Sequence, residues 1–278
     1  MGLNLCNYSK KPWYNQDMYL AIDIGGTKTL IALFSKRGRV LRRVKFKTAQ
    51  GSKTFLAELS SCLQRFTRFH ISTVVVAIPG IVQKNYSVLF GNRKWDGIDI
   101  ITPLRELFDC PIWFENDANL ATLYEGYRLA GRTVFLTFST GIGGGICENN
   151  RILEISNDFE PGHWIYTFND KELEWEDIAA ASALEKYYHV DYATNLRKKE
   201  IMIDVANRVS LGLLDVIKKY HPDTVILGGP LGKIFKSYSK YLPRDLKVRL
   251  KRPKRPNESV IYGCYIYAKQ KDNGLESK

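Results

Sequence analysis

Asp23-Ile24-Gly25-Gly26-Thr27-Lys28 closes an apolar run that starts at Tyr19. An apolar run that ends in Gly-Gly reads as a buried strand and a turn. Thr29 to Phe34 and Val40 to Phe46 suit two further strands, with Arg37-Gly38-Arg39 as the turn between them. Two adjacent strands joined at Gly25-Gly26 form a hairpin, which argues against the strand-to-helix turn of a dinucleotide-binding unit. Two glycines let backbone approach a phosphate with no Cβ in the way. Asp23, at the strand end, can hold Mg²⁺ through water, and Thr27 and Lys28 can meet phosphate oxygens. A purely structural Gly-Gly turn explains the same residues, so the stretch needs partners elsewhere.

Outward from this hairpin, strands and helices alternate. Phe55, Leu56, Leu59, Cys62, Leu63 and Phe66 recur at three and four residues, the spacing of an amphipathic helix. Ser72 to Ile78 is a buried strand stopped by Pro79-Gly80. Thr102-Pro103 opens a short helix with Thr102 as its cap. Ile112 to Phe114 is a strand, and Ala118 to Ala130 is helical. Val134 to Phe138 is a strand that runs into glycines 141–145. Trp175 to Tyr188 and Lys199 to Tyr220 are helical, Thr224 to Leu227 is a strand, and Val260 to Ala268 fits a last helix. The alternation predicts α/β layers, with ligands at the carboxyl ends of the strands. The two halves share a layout, a strand and then glycines, near residue 20 and again near 134.

Composition sets the class. The chain has 278 residues, 45% hydrophobic and 25% charged, ordinary values for a soluble globular protein. No apolar run reaches the roughly 18 residues of a membrane span, and the first twenty residues lack the apolar core of an export signal. Five scattered cysteines, none at a metal-ligand spacing, read as reduced thiols in a cytoplasmic protein. The net charge of +12 is unevenly placed. Residues 1–60 hold eleven Lys/Arg against three acids, and 232–256 ten against one, whereas 148–177 hold nine acids against two bases. A basic face that attracts an anionic substrate explains this better than a nucleic-acid partner. Lys251-Arg252-Pro253-Lys254-Arg255-Pro256 reads as a solvated loop.

Four more stretches carry candidate chemistry. Ser139-Thr140-Gly141-Ile142-Gly143-Gly144-Gly145 follows a strand about 115 residues after the first glycine loop, and suits a second phosphate clamp. Glu115-Asn116-Asp117-Ala118-Asn119 joins a strand to a helix. Asp117 reads as an N-cap, and a carboxylate there can also accept a proton from a hydroxyl, as phosphoryl transfer requires. Glu160-Pro161-Gly162-His163 can converge on one small polar ligand, or make a loop salt bridge. Leu227-Gly228-Gly229-Pro230 can pack against an adenine, or serve only as a helix entry.

In this order the motifs resemble the ROK family (repressors, open reading frames and sugar kinases), from about Tyr19 to Ala268. The resemblance implies a two-lobed, actin-like ATPase fold of the ribonuclease H type, with sugar and ATP in the cleft between lobes. It implies a tail at 1–17, a small N-terminal lobe at 18–115, a large C-terminal lobe at 116–260, and a C-terminal helix and tail at 261–278 that return to the first lobe. Asp117 takes the place of the catalytic base. Asn92, Asn116, Glu160, His163 and Glu176 fall on sugar-holding positions. Asp23, Gly25, Gly26 and Thr27 match the first phosphate motif, Thr140 and Gly141 the second, and Gly228 and Gly229 the adenosine motif.

The sequence departs from the family pattern at three points. No cysteine lies between His163 and Glu176, so it looks like the zinc-less branch, with no structural zinc and His163 free of metal. That branch includes some glucokinases and the polyphosphate glucokinases. A Ser-Gly pair is replaced by Ala180-Ala181, and a third adenosine-motif glycine by Pro230.

The resemblance thus implies an ATP- and Mg²⁺-dependent hexose kinase, with glucose the first guess. The family is commonly dimeric, so a homodimer fits; no nucleic acid or membrane partner is expected. Polyphosphate is the alternative donor, which the basic stretches at 36–53 and 233–255 could track. A sugar-responsive repressor is the rival from another class, disfavoured because only about 18 residues precede the first strand. A sugar-binding protein without turnover is a third.

Overall fold

The computed structural model describes residues 17–82, 88–89, 98–189 and 198–274. Asn92 and the neighbouring Trp95 lie outside them. The chain forms two units, the first from residues 1–120 and 260–278, the second from 121–259.

In the first unit, β1 (Met18–Ile24), β2 (Lys28–Ser35) and β3 (Val40–Lys47) form an antiparallel meander, and α1 (Ser52–Leu63) leads to β4 (Ile71–Ile78). A short pair, β5 (Ile81–Val82) and β6 (Val88–Leu89), precedes α2 (Ile101–Leu107) and β7 (Ile112–Asn116). The sheet order is β3-β2-β1-β4-β7, with β1, β4 and β7 parallel. Strand alternation sorts side chains to two faces. Leu20, Ile22, Val74 and Val76 pack with Phe55, Leu59 and Leu63 of α1. Each such fully buried side chain contributes about 1.5–3 kcal/mol. Ala21, Ala32 and Ala77 sit on the other face with Ile261, Cys264 and Ala268 of the last helix, α9 (Ser259–Asp272; α3 to α8 follow below). β3 is the sheet edge, and its exposed Arg43, Lys45 and Lys47 suit an edge that must not pair with another chain. Part of the basic stretch at 36–53 is therefore this edge.

α3 (Asp117–Gly126) leads into the second unit. β8 (Arg132–Phe138), β9 (Ile142–Glu148) and β10 (Arg151–Ile152) form its antiparallel meander. Then come β11 (Ile165–Phe168), β12 (Lys171–Glu174), α4 (Trp175–Ala179), α5 (Ala181–Tyr188) and α6 (Lys199–Tyr220). β13 (Thr224–Gly228), α7 (Gly229–Lys233), α8 (Phe235–Tyr238) and β14 (Arg249–Lys251) follow. The sheet order, β10-β9-β8-β13-β14, repeats the first sheet: three antiparallel strands, then two parallel ones. The shared layout of the two halves thus extends to the whole strand plan. Val134, Leu136 and Phe138 pack against Val205, Val209, Leu213 and Val216 of α6.

Three local readings need correction. The helix expected over 175–188 breaks at Ala180, which is extended (ψ 156°) and buried with Ala181 in the core. The cap of α2 is not Thr102. Asp99 takes that role, its carboxylate accepting the Thr102 amide at 2.9 Å. The basic loop at 251–256 is not simply solvated. Buried Glu125 accepts the amides of Lys254 (2.7 Å) and Arg255 (3.3 Å) and the Ser259 hydroxyl, and Lys254 Nζ donates to the Glu125 carbonyl.

Cys62, Cys110, Cys147 and Cys264 are free thiols. No helix of the described residues is long and apolar enough to cross a membrane.

Candidate active site

In the first unit the candidates collect at the carboxyl edge of the parallel strands. Asp23 is the last residue but one of β1, and Asn116 ends β7; both strands flank β4, where Asp23 pairs with Ala77 and Asn116 with Ile78. Beyond Asp23 the chain turns through Gly25, Gly26 and Thr27. The Gly25 amide donates to the Lys28 carbonyl at 3.0 Å. Thr48 braces the turn from β3's end: its hydroxyl donates to the Gly25 carbonyl (2.8 Å) and its amide to the Thr27 carbonyl (3.1 Å). Gly26, Thr27 and Lys28 stay exposed. Thr48 carries no motif, and only the hairpin register reveals it.

Asp117 is the first residue of α3, but it is not the cap. The Asn116 Oδ1 accepts the amides of Ala118 (2.8 Å) and Asn119 (3.2 Å), while its Nδ2 donates to the Gly80 carbonyl (3.2 Å). The sugar-holding expectation for Asn116 thus meets a side chain already serving the helix. Glu115 supports the same turn, accepting from the Asn116 amide (2.9 Å) and Asn119 Nδ2 (3.0 Å). Burial raises the Glu115 pKa, and those two hydrogen bonds oppose the rise. With the cap supplied by Asn116, Asp117 is left at the positive end of the helix dipole, where a carboxylate is favoured.

Asp23 has a pKa pushed up to about 7, mainly by burial and further by the Asp117 charge, with Lys28 opposing. A buried carboxyl raised further by a second carboxylate, beside an exposed lysine and glycine turn, fits a divalent cation with phosphate oxygens.

The second unit gathers the other candidates. Thr140 and Gly141 form the turn between β8 and β9, as Gly25 and Gly26 do between β1 and β2. Ser182, at the start of α5, ties this turn down: its hydroxyl donates to the Thr140 carbonyl (2.6 Å) and its amide to the Ser139 carbonyl (3.1 Å). Glu176 lies against the same turn, its Oε2 accepting the Ile142 amide at 3.2 Å. Gly141 and Gly162 make room for that carboxylate, since a Cβ would come within 2.5 Å of its Oε2 at Gly141 and 2.7 Å at Gly162. Gly228 ends β13 beside Thr137, and Gly229, at φ 68°, starts α7 with Pro230 in its first turn. A Cβ on Gly229 would lie 2.2 Å from the Phe138 carbonyl, so the backbone there is held close to the strand that feeds Thr140.

Glu160 precedes the single turn 161–163, and His163 is its last residue. The loop salt bridge offered as the alternative reading does form, but its carboxylate is Glu174: His163 Nδ1 lies 2.9 Å from Glu174 Oε2. That hydrogen bond is the main cause of a raised His163 pKa. Burial raises Glu160, with Glu176 adding and His163 opposing. His163, Glu174 and Glu176 each offer a ligand atom within 4.8 Å of the others, a grouping that could take a metal ion without any cysteine. Glu174 was not picked out in the sequence. The signal was there: Ile165–Phe168 and Lys171–Glu174 flank Asn169-Asp170, a two-residue hairpin turn.

Comparisons with known proteins bear on the family and the fold. The profile of the ROK family matches residues 19–271. A fructokinase of Lactococcus lactis subsp. cremoris is 29% identical over a segment covering 52% of this chain and 51% of its own. The xylose repressor of Bacillus spizizenii is 27% identical over 52% of this chain and 41% of its own. The crystal structure of a ROK hexokinase from Thermus thermophilus shares the fold, with a TM-score of 0.73 at 24% identity, covering 92% of this chain and 99% of its own. The matched segments span about half of the two curated relatives or less, and those relatives include both a kinase and a repressor. With a profile match over nearly its whole length, the chain belongs to the ROK family of sugar kinases and sugar-responsive regulators.

Proposed function

We propose that the chain is an ATP- and Mg²⁺-dependent sugar kinase that phosphorylates a hexose hydroxyl, glucose to glucose 6-phosphate being the first reaction to test. The observation that supports it best is the pairing of Asp23 with Asp117 beside the Gly25-Gly26 turn on one sheet edge. Binding a sugar needs no such pair, whereas phosphoryl transfer needs a base, a phosphate cradle and a cation site.

In this reading Glu160, His163, Glu176 and the amide nitrogen of Asn116 hold sugar hydroxyls. Asn92 is assigned the same work from its sequence position alone. Asp117 accepts the proton of the attacking hydroxyl. The turns at Gly25, Gly26, Thr27 and Lys28, and at Thr140 and Gly141, bind phosphate oxygens, and Gly228 and Gly229 receive the adenosine. Asp23 is the residue that would hold Mg²⁺ through water. Bound ATP supplies the phosphoryl group and Mg²⁺ offsets its charge. A metabolic kinase of this kind works in the cytoplasm.

The test is a kinase assay over a hexose panel with ATP and with polyphosphate, run beside Asp117→Ala. ATP-dependent turnover that Asp117→Ala abolishes supports the proposal. Turnover with polyphosphate alone changes the donor. Hexose binding with no turnover on either donor moves the chain to the family's regulators.

A further inference from the structure

The β11–β12 hairpin is fastened along its length. Its two-residue turn, Asn169-Asp170, has both residues left-handed (φ 50° and 58°), as a tight hairpin requires. The Phe168 ring lies 4.5 Å from the guanidinium of Arg208, a buried side chain of α6 that also pairs with Asp204 at 2.6 Å. The Tyr166 hydroxyl donates to Asp215, also on α6, at 2.9 Å. At the mouth, Ile165 pairs with Glu174, and the Trp175 amide donates to the Trp164 carbonyl at 2.8 Å. The hairpin is therefore a bracket anchored on α6, and its mouth carries His163 on one side and Glu174 on the other.

His163 itself sits on a single 3₁₀ turn with its side chain exposed. Such a side chain has several rotamers and two tautomers open to it. The Glu174 carboxylate removes most of that freedom: a proton on Nδ1 is donated to Glu174, which leaves Nε2 as the nitrogen facing away from it. We propose that Glu174 is a positioning residue that fixes the ring and tautomer of His163, so that Nε2 is presented to one sugar hydroxyl and sugar selectivity is set by a residue that never touches the sugar. The proposal rests on the reading of His163 as a sugar contact.

The test uses the full chain with Glu174→Gln, Glu174→Asp, His163→Ala, the double variant Glu174→Gln/His163→Ala, and Glu172→Gln. Glu172 is an exposed carboxylate on the same strand and serves as control. Hexose affinity is read by calorimetry, turnover by KM and kcat for hexose and ATP, and the imidazole by ¹⁵N NMR. Glu174→Gln should weaken hexose binding about tenfold. It should leave kcat and the KM for ATP within about twofold, have no further effect in the His163→Ala background, and release the fixed His163 tautomer. Glu174→Asp should recover part of the affinity, and Glu172→Gln should change nothing.

Equal losses with and without His163, a joint fall in kcat and both KM values, or an unchanged imidazole signal would each overturn the proposal. So would a chelator that reproduces the Glu174→Gln phenotype in the unaltered protein, since Glu174 would then be a metal ligand. Hexose binding that ignores Glu174→Gln removes this proposal and leaves the kinase reading standing. Absence of hexose binding, with the His163 tautomer still fixed, removes the sugar reading and the selectivity role with it.

Discussion

The charge of Asp117 raises the pKa of Asp23, from the neighbouring side of the same sheet edge. Burial pushes in the same direction, and the result is a carboxyl that titrates near pH 7. In Asp117→Asn the electrostatic part disappears, so Asp23 should titrate at lower pH while burial keeps it above an ordinary aspartate. Carboxyl ¹³C NMR of the variant gives the answer. An Asp23 titration that does not move would mean the two groups do not interact.

Asp23 also makes stability depend on pH with a defined sign. Its folded pKa lies above its unfolded value, so the native state keeps a proton that the unfolded chain releases first. Its contribution to stability therefore falls as pH rises from about 4 to about 7. Asp23→Asn removes a charge that is costly at neutral pH. In chelator at pH 8 it should unfold about 4 kcal/mol harder than the unaltered protein, and at pH 4 the difference should nearly vanish. The same variant should lose turnover. Urea melts at the two pH values measure this, and a pH-independent difference would contradict it.

Asn116 is the cap of α3, and its removal should be felt as stability. Asn116→Ala deletes an acceptor for two amides and should cost about 1–2 kcal/mol. Asn116→Asp keeps the acceptor but places a carboxylate against the Gly80 carbonyl. It should recover much of the cap and still weaken hexose binding. Denaturant melts and calorimetry separate the two effects.

The pair Gly141 and Gly162 should respond differently to one added methyl group. At Gly141 the new Cβ meets only the flexible end of Glu176, which can swing aside and give up its bond to Ile142. Gly141→Ala should fold normally and lose sugar affinity. At Gly162 the Cβ also lies 2.4 Å from the Ile142 carbonyl, which cannot yield as easily. Gly162→Ala should lose about 1–3 kcal/mol of stability. Equal melting points for the two variants would refute the distinction.

Glu125 predicts the behaviour of the basic loop. Removing a buried carboxylate that satisfies two amides leaves those amides unpaired, while the Ser259 hydroxyl keeps the Arg255 carbonyl as acceptor, and Glu125→Ala should cost about 3–5 kcal/mol. Hydrogen exchange at the Lys254 and Arg255 amides should quicken with it. Unchanged exchange would return the loop to a merely solvated segment.

Glycine turns after apolar runs were legible because their chemistry is local: Gly25-Gly26, Gly141 and Gly228-Gly229 each sit at a strand end where the spacing puts them. The α/β layering followed from period alone. Thr48, Ser182 and Glu125 were not legible, because each acts on a turn or loop distant in sequence, through a register or contact that no motif announces. The break at Ala180 escaped because alanine favours helix, and only the packing of the flanking Trp175 and Ala181 in the core overrides that preference. The cap of α3 was misassigned by one residue, since Asn and Asp are equally good caps and adjacent here. Glu174 is marked only by the register of the Asn169-Asp170 hairpin, because within an acidic stretch one carboxylate looks like the next.

The return of α9 to the first unit has a consequence for how the protein is made. Residues 121–259 are contiguous and can close their own core as soon as they leave the ribosome. The first unit cannot: the Ala21, Ala32 and Ala77 face waits for Ile261, Cys264 and Ala268, which are synthesised after the whole of the second unit. The earlier half of the message is thus the later half to finish. An apolar sheet face stays uncovered for the time it takes to translate some 140 residues, an interval in which a chaperone or a neighbouring nascent chain has access to it.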